Sequence, residues 1–254
     1  MKHLIFFLFT LLLIVLPGSS IAQQARFDEA TDLLEEQQFM EAIHQYKSIS
    51  EDGYVSGALW LNIGVAYAQL DSLGKAKYYL MRAREFNETR QSASQSLDLI
   101  ENRFSRRSAV LPMLPWDRFF NWMEQIMGVS GLMITGLILL NGAALLLLIS
   151  WFRPRFSKIF NRLAAGTLAF SIFFAGISIY LNLQDEWYDT GVTVSGQAQV
   201  FNQPDAESAV VSTAYEGYTM RVHNNRQADS EKWAYVRLAN GLYGWIDRQA
   251  IMTF

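Results

Sequence analysis

Hydrophobic positions change their spacing along this chain. From Ala25 to about Arg107 apolar residues recur at helical intervals. From Gly128 to Phe152, and again from Leu163 to Leu183, they run almost unbroken, and from Thr190 to Phe254 they alternate with polar ones. A 3.6-residue period predicts amphipathic helices, an alternation of two predicts half-buried strands, and an apolar run of about 20 residues predicts a span of the roughly 30 Å hydrocarbon layer. Neither run holds a charged side chain. The pattern predicts a multi-domain membrane protein: an all-α solenoid head, a two-helix transmembrane hairpin over 128–152 and 163–183, and an all-β small barrel over 190–254.

Charge orients the hairpin. The connector 153–162 carries Arg153, Arg155, Lys158 and Arg162 with no acid, whereas Asp185 and Glu186 follow Leu183 closely. By the positive-inside rule the connector is cytoplasmic and both heads lie on the outer face. Residues 1–22, with Lys2, an apolar core from Leu4 to Leu16, a Pro17-Gly18 break and small residues at Ser20 and Ala22, read as a secretory signal peptide cut before Gln23. Small residues such as Gly131, Gly136, Gly142, Ala175 and Gly176 are expected to let the spans approach each other. Equal distances from the connector put mid-span Asn141 level with Ser171 to Phe174, so an Asn141 to Ser171 hydrogen bond is expected. The stretch 109–127, with Pro112, Pro115, Trp116, Phe119, Phe120 and Trp122, reads as a juxtamembrane linker with an interfacial aromatic belt and a proline elbow.

The helical region repeats itself at an offset of 34 residues. In the second copy, Trp60, Ile63, Gly64, Tyr67, Ala76, Leu80 and Ala83 match the W-x2-L-G-x2-Y...A-x3-F-x2-A pattern; in the first, Ala30, Leu33, Ala42, Tyr46 and Ile49 take corresponding places. This resembles a tetratricopeptide-repeat domain, here over 23–108 with repeats at about 23–56 and 57–90 and a capping helix at 88–107 bearing Ala93, Leu97, Ile100 and Phe104. Small residues are needed where paired helices cross closely. Asp71 and Ser72 stand where the second helix of repeat two starts. Two repeats plus a cap fall short of the usual three, so a protein partner or self-association is expected to add stability. The resemblance implies peptide binding on the face of the first helices, which holds Phe27, Thr31, Leu34, Leu61, Val65 and Gln69. The alternative is that Leu61 and Val65 pack against the next repeat. Phe27 and Thr31 occupy the places of the lysine and asparagine of a carboxylate clamp, which argues against recognition of an acidic C-terminus. His44 reads as a solvated helix residue.

In the last segment, Val192-Thr-Val194, Ala198-Gln-Val200, Ala209-Val-Val211, Tyr218 to Val222, Trp233 to Leu238 and Tyr243 to Ile246 read as short strands between Gly, Pro, Asn and Asp turns. The stretch resembles a bacterial SH3-like domain, its most specific feature being Gly241-Leu-Tyr-Gly-Trp-Ile246, with Phe201 and Gln203 where that pattern commonly has arginine. Tyr215, Tyr218, Trp233, Tyr235, Tyr243 and Trp245 could line a groove for an extended peptide. Trp245 reads as structural, and Tyr235 and Tyr243, out of phase with the apolar positions, are the exposed protein-binding candidates, with His223 outward and solvated.

Composition narrows the function. The net charge is only -3 and Lys and Arg do not dominate, which argues against nucleic acid as a partner. There are no cysteines, so disulfides, thiolate metal sites and thiol nucleophiles are excluded. Of three histidines one is His3 of the leader, and no phosphate loop or nucleophile elbow occurs. No catalytic, cofactor or metal site is expected. The order of leader, repeats, hairpin and SH3-like terminus resembles the BatE-like proteins of the Bat aerotolerance system. That resemblance implies a non-catalytic adaptor in the bacterial inner membrane with both heads periplasmic, its partners membrane lipid and other membrane or periplasmic proteins, including von Willebrand A-domain proteins. The alternative is an envelope sensor or tether whose SH3-like head binds cell-wall peptides.

Overall fold

A computed structural model describes residues 18–104, 114–224 and 232–254. The expected leader up to residue 17, the end of the capping helix at 105–107 and Pro112 lie outside these residues. The first five helices are α1 (Gly18–Glu35), α2 (Phe39–Glu51), α3 (Gly57–Gln69), α4 (Leu73–Arg84) and α5 (Arg90–Glu101). They pack as two helical pairs followed by a single helix. At Gly64 of α3 a Cβ would lie 2.7 Å from Leu80 Cγ and 3.1 Å from the Leu80 nitrogen of α4, so these helices cross at a distance only glycine allows. Ala30, Ala42, Ala76, Ala83 and Ala93 have no exposed surface, which places small side chains throughout the helical core. Ser56 caps α3 by accepting from the Leu59 amide at 3.1 Å. Ser72, expected to start α4, makes no such bond. Asp71 sits at φ 56 and is tied to Arg103 at 2.8 Å.

Among the described residues, two helices are long and apolar enough to cross a membrane: α6 (Pro115–Phe152) and α7 (Ser157–Trp187). Their boundaries correct the sequence reading at three points. The expected linker is helical from Pro115, whose missing N–H suits a first helical position, and bends only at Gly128, with φ 66 and ψ 162. The expected connector 153–162 shrinks to Arg153 and a 3-10 turn at Pro154–Phe156, because Lys158 and Arg162 already belong to α7. This shorter turn shifts the pairing of the two helices. Ser171 Oγ donates to the Gly136 carbonyl at 2.8 Å and Ser178 Oγ to the Val129 carbonyl at 2.9 Å. The expected Asn141 to Ser171 bond is therefore not made: Asn141 Nδ2 donates to Leu137 of its own helix at 2.8 Å. Of the small residues, Gly136 meets the Ala175 backbone, while Gly142, Gly166 and Gly176 face open space.

The C-terminal unit is one antiparallel sheet of seven strands in the order β3-β2-β6-β5-β4-β1-β7. The strands are β1 (Tyr188–Thr193), β2 (Gln197–Phe201), β3 (Val210–Tyr215), β4 (Thr219–His223), β5 (Trp233–Leu238), β6 (Tyr243–Asp247) and β7 (Ile251–Thr253). Ladder hydrogen bonds do not join β3 to β7, so the barrel expected from sequence is a curled sheet with an open seam. Val200, Ala214, Val236, Ile246 and Ile251, from strands at both edges and the middle, nevertheless share one core. β7 was not foreseen.

The two heads are not separate. Val192 of β1 belongs to the helical core, with Met252 and Phe254 packed against it. Glu216 Oε1 accepts from the Gly74 amide at 2.7 Å, Tyr78 Oη donates to the Thr253 carbonyl at 3.1 Å, and the rings of Tyr78 and Phe254 meet edge to face. Additional stability for the short helical array thus comes from within the chain.

Candidate functional site

Alternation in β5 buries Trp233, Ala234, Val236 and Leu238 and leaves Tyr235 and Arg237 partly open. Core residues Ala234, Val236 and Leu238 point to one face of the sheet, so Tyr235 and Arg237 stand on the other. Ladder register then aligns the neighbours. Tyr188 of β1 lies opposite His223 of β4, Tyr235 opposite Trp245 of β6, and Trp245 opposite Phe201 of β2. The rings touch along this row. Tyr188 meets His223 at 4.9 Å, His223 meets Tyr235 at 6.3 Å, and Tyr235 meets Trp245 at 5.0 Å; Tyr243 stacks on Tyr235 at 6.0 Å and 17°. Phe201 closes the row edge-on to Trp233 at 5.6 Å.

The Gly244-Trp245 dipeptide makes this row possible. A Cβ on Gly244 would stand 2.6 Å from Val200 Cγ1 and 2.7 Å from the Phe201 carbonyl oxygen, so glycine is what allows β2 to pair with β6. The next residue, pleated to the other face, delivers the indole beside Tyr235. Sequence reasoning assigned Trp245 to the structural core. It is instead half-buried on the aromatic face and absent from the interior cluster. The signal was present: Ile246 in the core puts both neighbours outward.

Charge borders the aromatic row. Arg237 lies opposite Tyr243 and, with its side chain 14% exposed, pairs at 3.0 Å with Asp117 of α6, 12% exposed. Arg221 donates to Gln184 of α7. Burial pushes the Tyr188 phenol above its ordinary value, helped by Tyr243 and Tyr235 and opposed by Arg237 and Arg221. The row holds flat rings bordered by the Arg237–Asp117 ion pair, a surface suited to an extended peptide. His223, expected to be solvated, is part of the row.

The helical candidates are placed differently. Thr31 Oγ1 lies 2.8 Å from Tyr46 Oη and Phe27 packs on the Tyr46 ring at 5.4 Å. Leu34 and Leu61 pack against the helical core, Val65 is half-buried, and Gln69 is exposed. Burial raises the Tyr46 phenol, which also takes a hydrogen bond from Asn62 at 2.8 Å. Most of this face is therefore engaged in packing. His44 is exposed. Among the described residues, no group of three His, Asp or Glu side chains is arranged to hold a metal ion.

Residues 186–252 match the family model of the GW (Gly-Tryp) dipeptide domain. Such domains are SH3-like and bind bacterial cell walls, so the C-terminal sheet is similar to an envelope-binding class and carries the defining Gly-Trp pair at Gly244-Trp245. The match covers the C-terminal quarter of the chain. No curated protein matches the chain significantly.

Proposed function

We propose that this chain is a non-catalytic, membrane-anchored envelope tether whose aromatic row holds extended cell-wall peptides. The supporting observation is the continuous row Tyr188, His223, Tyr235 and Trp245 with Tyr243 stacked beside it, on a sheet that matches a GW domain. In this reading α6 and α7 span the inner membrane and the chain between them turns on the cytoplasmic side, with both heads periplasmic. Trp116, Phe119 and Trp122, all exposed on the first turns of α6, suit headgroup depth.

The full chain, purified in detergent, is expected to sediment with purified cell-wall sacculi. Tyr243 is 45% exposed, so Tyr243→Ala removes a contact without emptying the core. Loss of a stacking ring at the centre of a site commonly costs more than 1 kcal/mol. Retention by Tyr243→Ala with Tyr235→Ala should fall about tenfold or more. Equal retention of the double variant, or none by the parent, would overturn the tether reading.

Topology has its own test. A reporter active only in the cytoplasm is expected to work at Arg155, in the turn between α6 and α7, and to fail at Ala206 on an exposed loop of the sheet. Activity at Ala206 would refute the orientation.

A second reading, the adaptor, is supported by the helical pairs and their buried alanines at a 34-residue offset. Here the helical head is a tetratricopeptide array of a BatE-like protein, and Gln69, the exposed one of its six candidates, borders the surface offered to a von Willebrand A-domain partner. Capture of such a protein that survives Tyr235→Ala and Tyr243→Ala would favour it.

A further inference from the structure

Helix α6 carries two seams at seven-residue spacing. The first, Leu132, Gly136, Ala143 and Ser150, is buried against α7. The second, Ile134, Ile138, Asn141, Leu145 and Leu148, recurs at intervals of four and three residues, and each of its apolar members is more than half exposed. Ile134, Ile138 and Leu145 lie two residues beyond Leu132, Gly136 and Ala143, and Asn141 and Leu148 lie two residues before Ala143 and Ser150. Two residues are about 200° around the helix in either sense, so the second seam points away from α7. Lipid could cover the Ile and Leu side chains. It cannot satisfy Asn141.

Asn141 falls near the middle of the stretch from Val129 to Phe152, about 16 to 18 Å along the helix from each end at 1.5 Å per residue. It is exposed, and among the described residues its side chain makes one hydrogen bond, from Nδ2 to the Leu137 carbonyl. An amide has two donors and a carbonyl acceptor, so one N–H and the oxygen are left facing hydrocarbon. Water is scarce at that depth, and a polar side chain there is found against protein.

We propose that the Asn141 seam pairs two copies of this chain across a two-fold axis. The amide is self-complementary, because each Asn141 can donate its free N–H to the oxygen of the other. An isologous interface requires such a surface. Ile134, Ile138, Leu145 and Leu148 interdigitate with their counterparts on either side, and a single Asn within a seam of Ile and Leu sets the register of the pair. The heads, carried at the outer ends of the hairpins, are thereby doubled. The proposal rests on the membrane-spanning reading of α6.

The test exploits the absence of native cysteine. Single cysteines are placed at 134, 136, 138, 141, 143, 145 and 148 of the full chain in native membranes, oxidised, and probed in parallel with a membrane-impermeant maleimide. Expected are disulfide-linked homodimers at 134, 138, 141, 145 and 148, none at 136 or 143, and no labelling by the maleimide at any of them. In detergent at fixed chain density, Asn141→Leu should weaken dimerisation about 3- to 20-fold, the range for one interhelical hydrogen bond in lipid, and Asn141→Gln should largely keep it. Labelling at 141 overturns the membrane reading. Protection without crosslinks along the second seam, or crosslinks only to a different protein, overturns the self-pairing and leaves the membrane reading intact.

Discussion

Gly74→Val is expected to pull the helical head off the β-sheet. Gly74 lies in the first turn of α4, where an added Cβ would stand 2.6 Å from the Thr193 carbonyl oxygen and 2.9 Å from Val194 Cα. Both obstacles are backbone of the β1 region and cannot swing aside. The same turn is capped from outside its own helix: Ser72 makes no side-chain bond there, and the Glu216 carboxylate, 142 residues away, accepts from the Gly74 amide. A carboxylate at a helix N-terminus meets the positive end of the helix dipole. Valine therefore adds a clash of about 1 to 3 kcal/mol and removes a cap of about 0.5 to 2 kcal/mol. A Tm fall on the order of 10 °C should follow, with faster hydrogen exchange at the start of α4 and in β7. Glu216→Gln keeps an acceptor and loses only charge, so it should cost about 0.3 to 1 kcal/mol. A Tm and exchange pattern equal to the parent's for Gly74→Val would show that the heads do not depend on this contact.

Replacing Gly244 by valine should be nearly as damaging, and at the site itself. Among the described residues β2 pairs with β3 and β6, and its ladder with β6 rests on Val200 opposite Ile246 and Phe201 opposite Trp245. A side chain at 244 would drive into Val200 and the Phe201 carbonyl, so β2 and β3 must peel away together. Phe201 then leaves Trp233 and its place beside Trp245. Overpacking of this kind costs about 1 to 3 kcal/mol. The expected readouts are a red shift of tryptophan emission, loss of near-ultraviolet dichroism and loss of sacculus retention, with α-helical dichroism preserved. Unchanged tryptophan emission would mean that the sheet tolerates a side chain there and that the glycine does not position the row.

Some of this was legible along the chain because it depends on local spacing alone. Uncharged runs of helix-spanning length marked α6 and α7, and strict alternation set Tyr235 against Val236 and so outward. The same rule, applied to Ile246, would have placed Trp245 on the aromatic face. The connector was misread because charge does not mark helix ends: Lys158 and Arg162 suit a headgroup region whether they lie in a loop or on the first turns of α7. That difference moved the pairing of the helices, and with it the partner of Asn141.

Sequence by itself determined the helical head, the paired apolar helices and the alternating C-terminal strands, because hydrophobic period is written in neighbours a few residues apart. Tertiary structure alone decided that the heads join. The contacts of Gly74 with Glu216 and of Tyr78 with Thr253 link residues 142 and 175 positions apart, and no periodicity records such separations. Tertiary structure also chose which of two equivalent seams on α6 would face α7. Both repeat every seven residues. Gly136, small enough to admit the Ala175 backbone, draws α7 to its side and turns Asn141 to the other.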